Sequence, residues 1–398
     1  MRIAVVGAGL GGLAATGFLD RRGVDVTVYE QAAELRQVGA GITLTPNATR
    51  LVEQLDGSGV LARRAVALEV GWEFRRWSDG RVLFAERLGA ECVRRYGHHT
   101  RMAHRADLLA VLRAAVPEHR VRLGVRCVGI EQDADGVGLR FADGSTAEAD
   151  AVVGADGIHS VVCGSVSGPA SARSTGLCAY RCTVAAERAP GFARRPVQTI
   201  WLGPDRHFVH YPVSAGELVN VVAVVPAGEW RVESWSAVGA VSDLAAEFAG
   251  WDAGVRQLIG AAESTSRWAL FDRESLPAWS RGRVTLLGDA AHAMVPFFAQ
   301  GAAQAIEDAA VLARCLADGS GSVEPALARY ERARWARATR VQRMSRGRTD
   351  AFHLPDGPEQ RARDTGFARS EPLAQNDWIY SYRADTVDLP EAVPAGGR

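Results

Sequence analysis

The sequence contains no lysine: all 46 basic residues are arginines, set against 46 acidic residues for a formal net charge of zero. That absence excludes a Schiff-base lysine, a P-loop lysine and a Lys-Thr-Gly element. Without a basic excess there is no field to hold nucleic acid or an anionic membrane surface, so neither is expected as a partner. No apolar run reaches the ~18 residues of a membrane span. The N-terminal residues also lack the charged start, apolar run and small-residue cleavage site of a secretory signal, so a cytoplasmic location is expected. Six cysteines, Cys92, Cys127, Cys163, Cys178, Cys182 and Cys315, show no spacing able to close a tetrahedral metal site. They read as reduced thiols, and no metal is expected.

What is present is a chain of 398 residues, 47% hydrophobic, enough for one large or two modest domains. Residues 2–6 form an apolar run with no polar residue after Arg2, as in a buried parallel strand. Gly7-Ala8-Gly9-Leu10-Gly11-Gly12 follows, then a helical spacing to Leu19, a stop at Arg22-Gly23, and a second strand over 24–29 ending at Glu30. Two further strand-then-glycine junctions occur, at 151–153 before Gly154 and at 283–287 before Gly288-Asp289. A helix including residues 302–316 follows the last of them. Three such junctions, each more than 100 residues from the next, point to one α/β nucleotide domain assembled from separated pieces.

Residues 177–268 differ in texture: Val/Ile/Tyr-rich runs alternate with turn residues, which suits an antiparallel sheet. Residues 70–83 read as a hairpin that joins it. After Glu324 the chain is arginine-rich with helical spacing, and 364–398 reads as a polar tail sprinkled with aromatic residues.

The glycines at 7, 9 and 12 allow a tight turn, close approach of backbone to a pyrophosphate, and close packing of helix on strand. Glu30 stands where a carboxylate accepts hydrogen bonds from an adenosine ribose, which favours FAD or NAD over NADP at this site. Asp289 lies at a strand's carboxyl end, placed for a ribityl hydroxyl. The helix start near Gln300-Gly301-Ala302-Ala303 offers N–H groups and a dipole to a flavin pyrimidine.

With these motifs stand Gly39-Ala40-Gly41-Ile42, His104-Arg105-Ala106-Asp107-Leu108, Gly154-Ala155-Asp156-Gly157-Ile158-His159-Ser160 and Gly288-Asp289-Ala290-Ala291-His292. Together they resemble the group A flavoprotein monooxygenases, the aromatic-hydroxylase family typified by p-hydroxybenzoate hydroxylase. The resemblance implies a Rossmann-type, GR2-like FAD-binding domain from residues 1–70, 98–176 and 269–324. It also implies a substrate-binding antiparallel sheet from 71–97 and 177–268, and C-terminal helices and tail over 325–398. It implies one FAD, NADH or NADPH as reductant, and O2 as co-substrate. Oxygen is then transferred from a flavin C4a-hydroperoxide to a small aromatic substrate, by a monomer or homodimer. The cofactor contacts it implies are Gly7, Gly9, Leu10, Gly12, Glu30, Gln31, Gly41, Arg105, Cys127, Asp156, Asp289, Gly301 and Ala302. Two positions depart from the family pattern: Cys163 replaces the usual arginine, and Gly301-Ala302-Ala303 replaces Gly-x-Asn.

Within the family the chain is most similar to the salicylate and 6-hydroxynicotinate hydroxylase branch, through residues 39–47 and 96–108, Asp205-Arg206-His207 with Tyr211, and Trp378-Ile379-Tyr380 with Tyr382. On that pattern His207 and Tyr211 face the substrate, while Thr43 and Phe297 stand where the 6-hydroxynicotinate pattern has histidines. Even spacing on a strand puts His207 and Tyr211 on one side and His210 on the other. A neutral histidine suits the loosening of a phenolic proton, although His207 also reads as a core histidine and Tyr211 as a packing residue. Arg181 is a candidate fork for a substrate carboxylate. The expected reaction is hydroxylation of a phenolic or hydroxy-heteroaromatic acid, with a larger aromatic natural-product scaffold and an FAD dehydrogenase or oxidase as the alternatives.

Overall fold

The strand Arg2–Val6 lies inside a six-stranded sheet and is buried from Ile3 onward. The computed structural model describes residues 1–35, 40–168, 171–228, 238–318 and 322–391. Arg2–Val6 pairs in parallel with Asp25–Tyr29 on one side and Ala151–Gly154 on the other, and Ala151–Gly154 pairs in parallel with Val284–Leu286. The register runs Val6 to Gly154 to Leu286, so the three glycine junctions end side by side at the carboxyl edge of one sheet. The separated pieces therefore meet as the sequence indicates.

Two glycines explain the closeness of that edge. Gly7 has φ +100°, and a Cβ there would lie 2.5 Å from Ala155 O, so the first junction touches the second. A Cβ on Gly12 would lie 1.9 Å from Gly7 O, so the helix Leu10–Asp20 packs tightly on its own strand. That helix also packs against Gly301–Ala317, which closes one face of the sheet.

A second sheet has eight strands. Arg173–Ala185, Gln198–Gly203, Arg206–Val213, Leu218–Pro226 and Thr265–Asp272 pair with one another in antiparallel fashion. The hairpin Trp72–Arg76 and Val82–Ala85 joins through parallel pairing with Gln198–Gly203. This extends the expected 177–268 region at both ends, and two helices not expected from the sequence, Val241–Glu247 and Ala253–Gly260, pack on it. Both faces are buried. Tyr180, Phe208 and Val221 meet those two helices. Ala179, Ile200, Tyr211 and Val224 meet Phe352, Ile379 and Tyr380 from the end of the chain.

The end of the chain departs from the expected polar tail. After the long helix Val323–Phe352 come Pro358–Ala368, Pro372–Gln375 and Asp377–Tyr380, with Ile379 and Tyr380 buried. The apolar residues that anchor this segment are few and separated by charges, so their burial depends on the sheet they reach rather than on local periodicity. Beneath them Arg334, fully buried, pairs with Glu307 at 2.6 Å and Asp308 at 2.7 Å, and Asp308 also meets His292 at 2.6 Å and the Gly288 N–H at 3.0 Å. Burial alone would raise the Asp308 carboxyl, but His292 and Arg334 outweigh it and hold it at about 2. Among the described residues no helix is long and apolar enough to cross a membrane.

Candidate active site

A cavity of about 590 Å³ opens between the carboxyl edge of the first sheet and one face of the second. Its wall comes from the junctions and includes Gly9, Leu10, Gly41, Arg105, Asp289, Gly301 and Ala302. Its floor includes a row across six paired strands, Arg181, Val222, Val209, Ile200, Phe74 and Phe84, flanked by His207 and Tyr211.

The wall fits a flavin dinucleotide. A Cβ on Gly9 would meet nothing within 4 Å, so the chain's own packing does not require glycine there, and the space in front of it is free for a pyrophosphate. The Glu30 carboxylate is fixed at the end of the second strand by the N–H groups of Ala8 at 2.8 Å and Ala32 at 2.9 Å. Burial lowers the Arg105 guanidinium, and the charges of Asp289 and Glu30 oppose that shift, which places Arg105 within the field of both carboxylates. Asp289 is open to the cavity while enclosed by protein. That enclosure raises its carboxyl, against His292, Arg105 and Arg273. The helix Gly301–Ala317 begins at the cavity with no side-chain cap, so its first N–H groups and positive dipole end serve whatever lies there.

Other residues expected at the cofactor do not line this cavity. Gly7, Gly12 and Glu30 shape the wall without lining the cavity. Asp156 turns its carboxylate to Ser160 Oγ at 2.5 Å and the Val161 N–H at 2.8 Å, so it caps the helix Val161–Ser167; its neighbours Ala155, Gly157 and Ile158 line the cavity instead. Cys127 is buried, with its thiol donating to Gly129 O at 3.6 Å, and Gln31 is exposed; neither lines the cavity. Gly39 lies outside the described residues. The missing arginine at position 163 has a counterpart in space. Arg273, buried, donates to Cys163 Sγ at 3.0 Å, to Ala290 O at 2.8 Å and to Ile158 O, holding the same loop from another strand of sequence.

On the floor, His207 and Tyr211 face the cavity, and His210 faces the other core against Phe192 and Phe208, as the alternation requires. His207 Nδ1 lies 2.7 Å from His353 Nε2, and its ring meets Phe297 and Phe352 edge-on at 4.9 and 5.4 Å. Burial, with His353 second, pushes His207 well below the usual histidine range. Burial likewise lowers His353 to about 4, against Asp205 and Asp350. Both rings are therefore neutral at pH 7, and one shares its proton with the other. His207 Nε2 has no hydrogen-bond partner among the described residues.

Burial raises the Tyr211 hydroxyl to about 12 against the pull of Arg181, so it is a donor at neutral pH. Gly41 is required beside it: a Cβ there would lie 2.5 Å from the Tyr211 ring. Arg181 stacks on Trp268 at 4.1 Å; burial lowers it to about 10, with Tyr211 opposing and Arg105 adding, and it stays a cation. Thr43 Oγ1 donates to Gln198 Oε1 at 2.7 Å, and Phe297 covers the floor near His207. Gln198, His353, Arg348 and Glu86 escaped the sequence reading, whereas Tyr380, part of the Trp378-Ile379-Tyr380 run, lines the cavity. The even spacing that marks His207 and Tyr211 does not extend to His353, 146 residues away at the end of a helix.

A family model described as FAD binding domain matches residues 1–345. The chain is 46% identical over 397 residues to 3-amino-4-hydroxybenzoate 2-monooxygenase PtnB3 of Streptomyces platensis, covering 100% of this chain and 98% of that protein. It is 39% identical over 352 residues to 6-hydroxynicotinate 3-monooxygenase of Pseudomonas fluorescens, covering 87% and 91%. Its fold matches the crystal structure of Klebsiella pneumoniae HpxO complexed with FAD and uric acid, with a TM-score of 0.84, 29% identity and 96% of each chain covered.

Proposed function

Because the chain belongs to the FAD binding domain family of aromatic hydroxylases, we propose that it hydroxylates a phenolic aromatic acid of the aminohydroxybenzoate type. It is an FAD-dependent aromatic monooxygenase that uses NAD(P)H and O2. Held at the wall by Gly9, Arg105, Asp289 and the first N–H groups of the helix Gly301–Ala317, FAD would supply the redox chemistry, acceptance of reducing equivalents from NAD(P)H and activation of O2.

The protein's own part follows from the floor. The arrangement of neutral His207, donor Tyr211 and cationic Arg181 on one cavity face carries the reading. Neutral His207, oriented by His353, accepts a hydrogen bond from the substrate hydroxyl at Nε2 and enriches the ring. Arg181 holds the substrate carboxylate, and the rings of Phe297 and Phe352 exclude water above His207. Gly9, Gly41, Arg105, Asp289, Gly301 and Ala302 hold the cofactor. Thr43 and Phe297 leave the floor uncharged where two histidines stand in the 6-hydroxynicotinate pattern, which favours a benzoate over a hydroxynicotinate.

The test is substrate-stimulated NADH and NADPH oxidation by the FAD-loaded protein with 3-amino-4-hydroxybenzoate, 6-hydroxynicotinate and salicylate, with products identified by mass. A product heavier by one oxygen from the aminohydroxybenzoate is expected. Oxidation without an oxygenated product from any of them would sink the proposal.

A further inference from the structure

The cavity continues past the floor on which His207 and Tyr211 sit. The row from Val209 through Ile200 and Phe74 to Phe84 crosses three strand spacings, about 14 Å. That is farther than one benzene ring with its substituents spans. Glu86 lies two residues beyond Phe84, and its backbone is pinned there: its N–H donates to Trp72 O at 2.8 Å, and its carbonyl accepts from the Gly71 N–H at 2.6 Å.

Glu86 lines the cavity, is only 5% exposed, and both carboxylate oxygens lack a hydrogen-bond partner among the described residues. Leaving a carboxylate buried and unsatisfied is costly, so the position is unfavourable for stability alone. Arg348 lines the same lobe from the long helix. It sits over the Phe298 ring at 4.6 Å and makes no ion pair with Glu86, although its charge acts on that carboxylate. An acceptor and a cation thus share one lobe without closing on each other. Phe74 and Phe367, stacked at 4.8 Å, supply an aromatic surface along the approach.

We propose that Glu86 and Arg348 form an outer recognition site for a carboxamide carried by the substrate beyond the reacting ring, with the amide N–H donating to Glu86 and the carbonyl accepting from Arg348. A carboxamide presents a donor and an acceptor on neighbouring atoms and brings no net charge between an anion and a cation. This rests on the reading that the floor is the substrate site, and it enlarges the substrate class from single-ring acids to hydroxyaromatic acids extended through an amide.

Burial raises the Glu86 carboxyl to about 7, with Arg348 opposing. The other titratable groups facing it do not ionise near neutrality: Cys92 is raised to about 11 by burial, Tyr380 is raised by burial, and Arg348 remains a cation. Recognition of the N–H therefore strengthens as pH rises through about 7 and Glu86 becomes a carboxylate.

The experiment is isothermal titration calorimetry of the FAD-loaded protein with 5-(2-carbamoylethyl)-2-hydroxybenzoate, which keeps the ring carboxylate and hydroxyl, and with the corresponding side-chain methyl ester, which has no amide N–H. At about pH 8 the amide is expected to bind at least about tenfold more tightly than the ester. That preference should shrink toward about pH 6, and disappear in Glu86→Leu, whose buried apolar side chain preserves the fold and bound FAD. Equal binding in the unmodified protein, an unchanged preference in Glu86→Leu, or a preference independent of pH would each overturn the proposal. Binding is read without turnover, so failure of the simple acids to be hydroxylated counts against the proposed function and not against this site.

Discussion

The wall and the floor of the cavity are made of different materials. On the wall the chemistry belongs largely to backbone: Gly9 leaves room, the Gly301–Ala317 helix lends its N–H groups, and Gly7 and Gly12 are fixed by contacts under 3 Å that any side chain would violate. On the floor the chemistry belongs to side chains, His207, Tyr211 and Arg181, borne by strands whose pairing tolerates almost any residue. A backbone site constrains residue type at fixed spacing, and a side-chain site constrains only direction. One binds a constant group and the other is free to vary with the ligand.

The comparison can be broken first at Gly12. Gly12→Ala places a methyl 1.9 Å from Gly7 O, and the expected outcome is no yellow holoprotein, checked by flavin absorbance after purification. The wall also has a support behind it. Arg334→Ala leaves Glu307 and Asp308 as buried charges with fewer partners, and a loss of about 3–5 kcal/mol is expected in denaturant unfolding followed by flavin fluorescence. The floor should answer differently. His207→Gln is expected to keep full FAD content while kcat falls by at least roughly a hundredfold; a mutant that lost FAD instead would erase the distinction.

The smallest effect is on pH dependence. His353 is held at about 4 in the folded chain against about 6.5 unfolded, so its contribution to stability is complete above about pH 6.5 and drains away as pH falls through 4. Urea midpoints measured from pH 7.5 to 5, as about 0.5-unit steps, should decline less steeply in His353→Asn than in the unmodified chain.

What could be read from sequence follows the same division. The three glycine junctions announce themselves because each needs a local run of residues, and they meet in register as expected. His207 and Tyr211 are readable because strand alternation is local too. Asp156 carries two readings: a carboxylate beside a glycine junction looks like a ligand contact, and Ser160 four residues on also ties it to the start of the helix Val161–Ser167. Arg273 supporting the loop at Cys163, and His353 orienting His207, depend on elements 110 and 146 residues apart, and no spacing rule connects them. The resemblance implies helices at the end of the chain, but where they dock is not legible, because Ile379 and Tyr380 are buried only by the sheet that receives them.

The strand Arg206–Val213 is buried on both sides, with Phe208 and His210 toward one set of neighbours and His207, Val209 and Tyr211 toward the other. Adjacent letters of this sequence therefore answer to separate masters. Drift at 208 or 210 is tried by whether the chain folds, and drift at 207, 209 or 211 by what the chain accepts. A lineage can retune its diet by stepping along every second residue while leaving its foundation untouched.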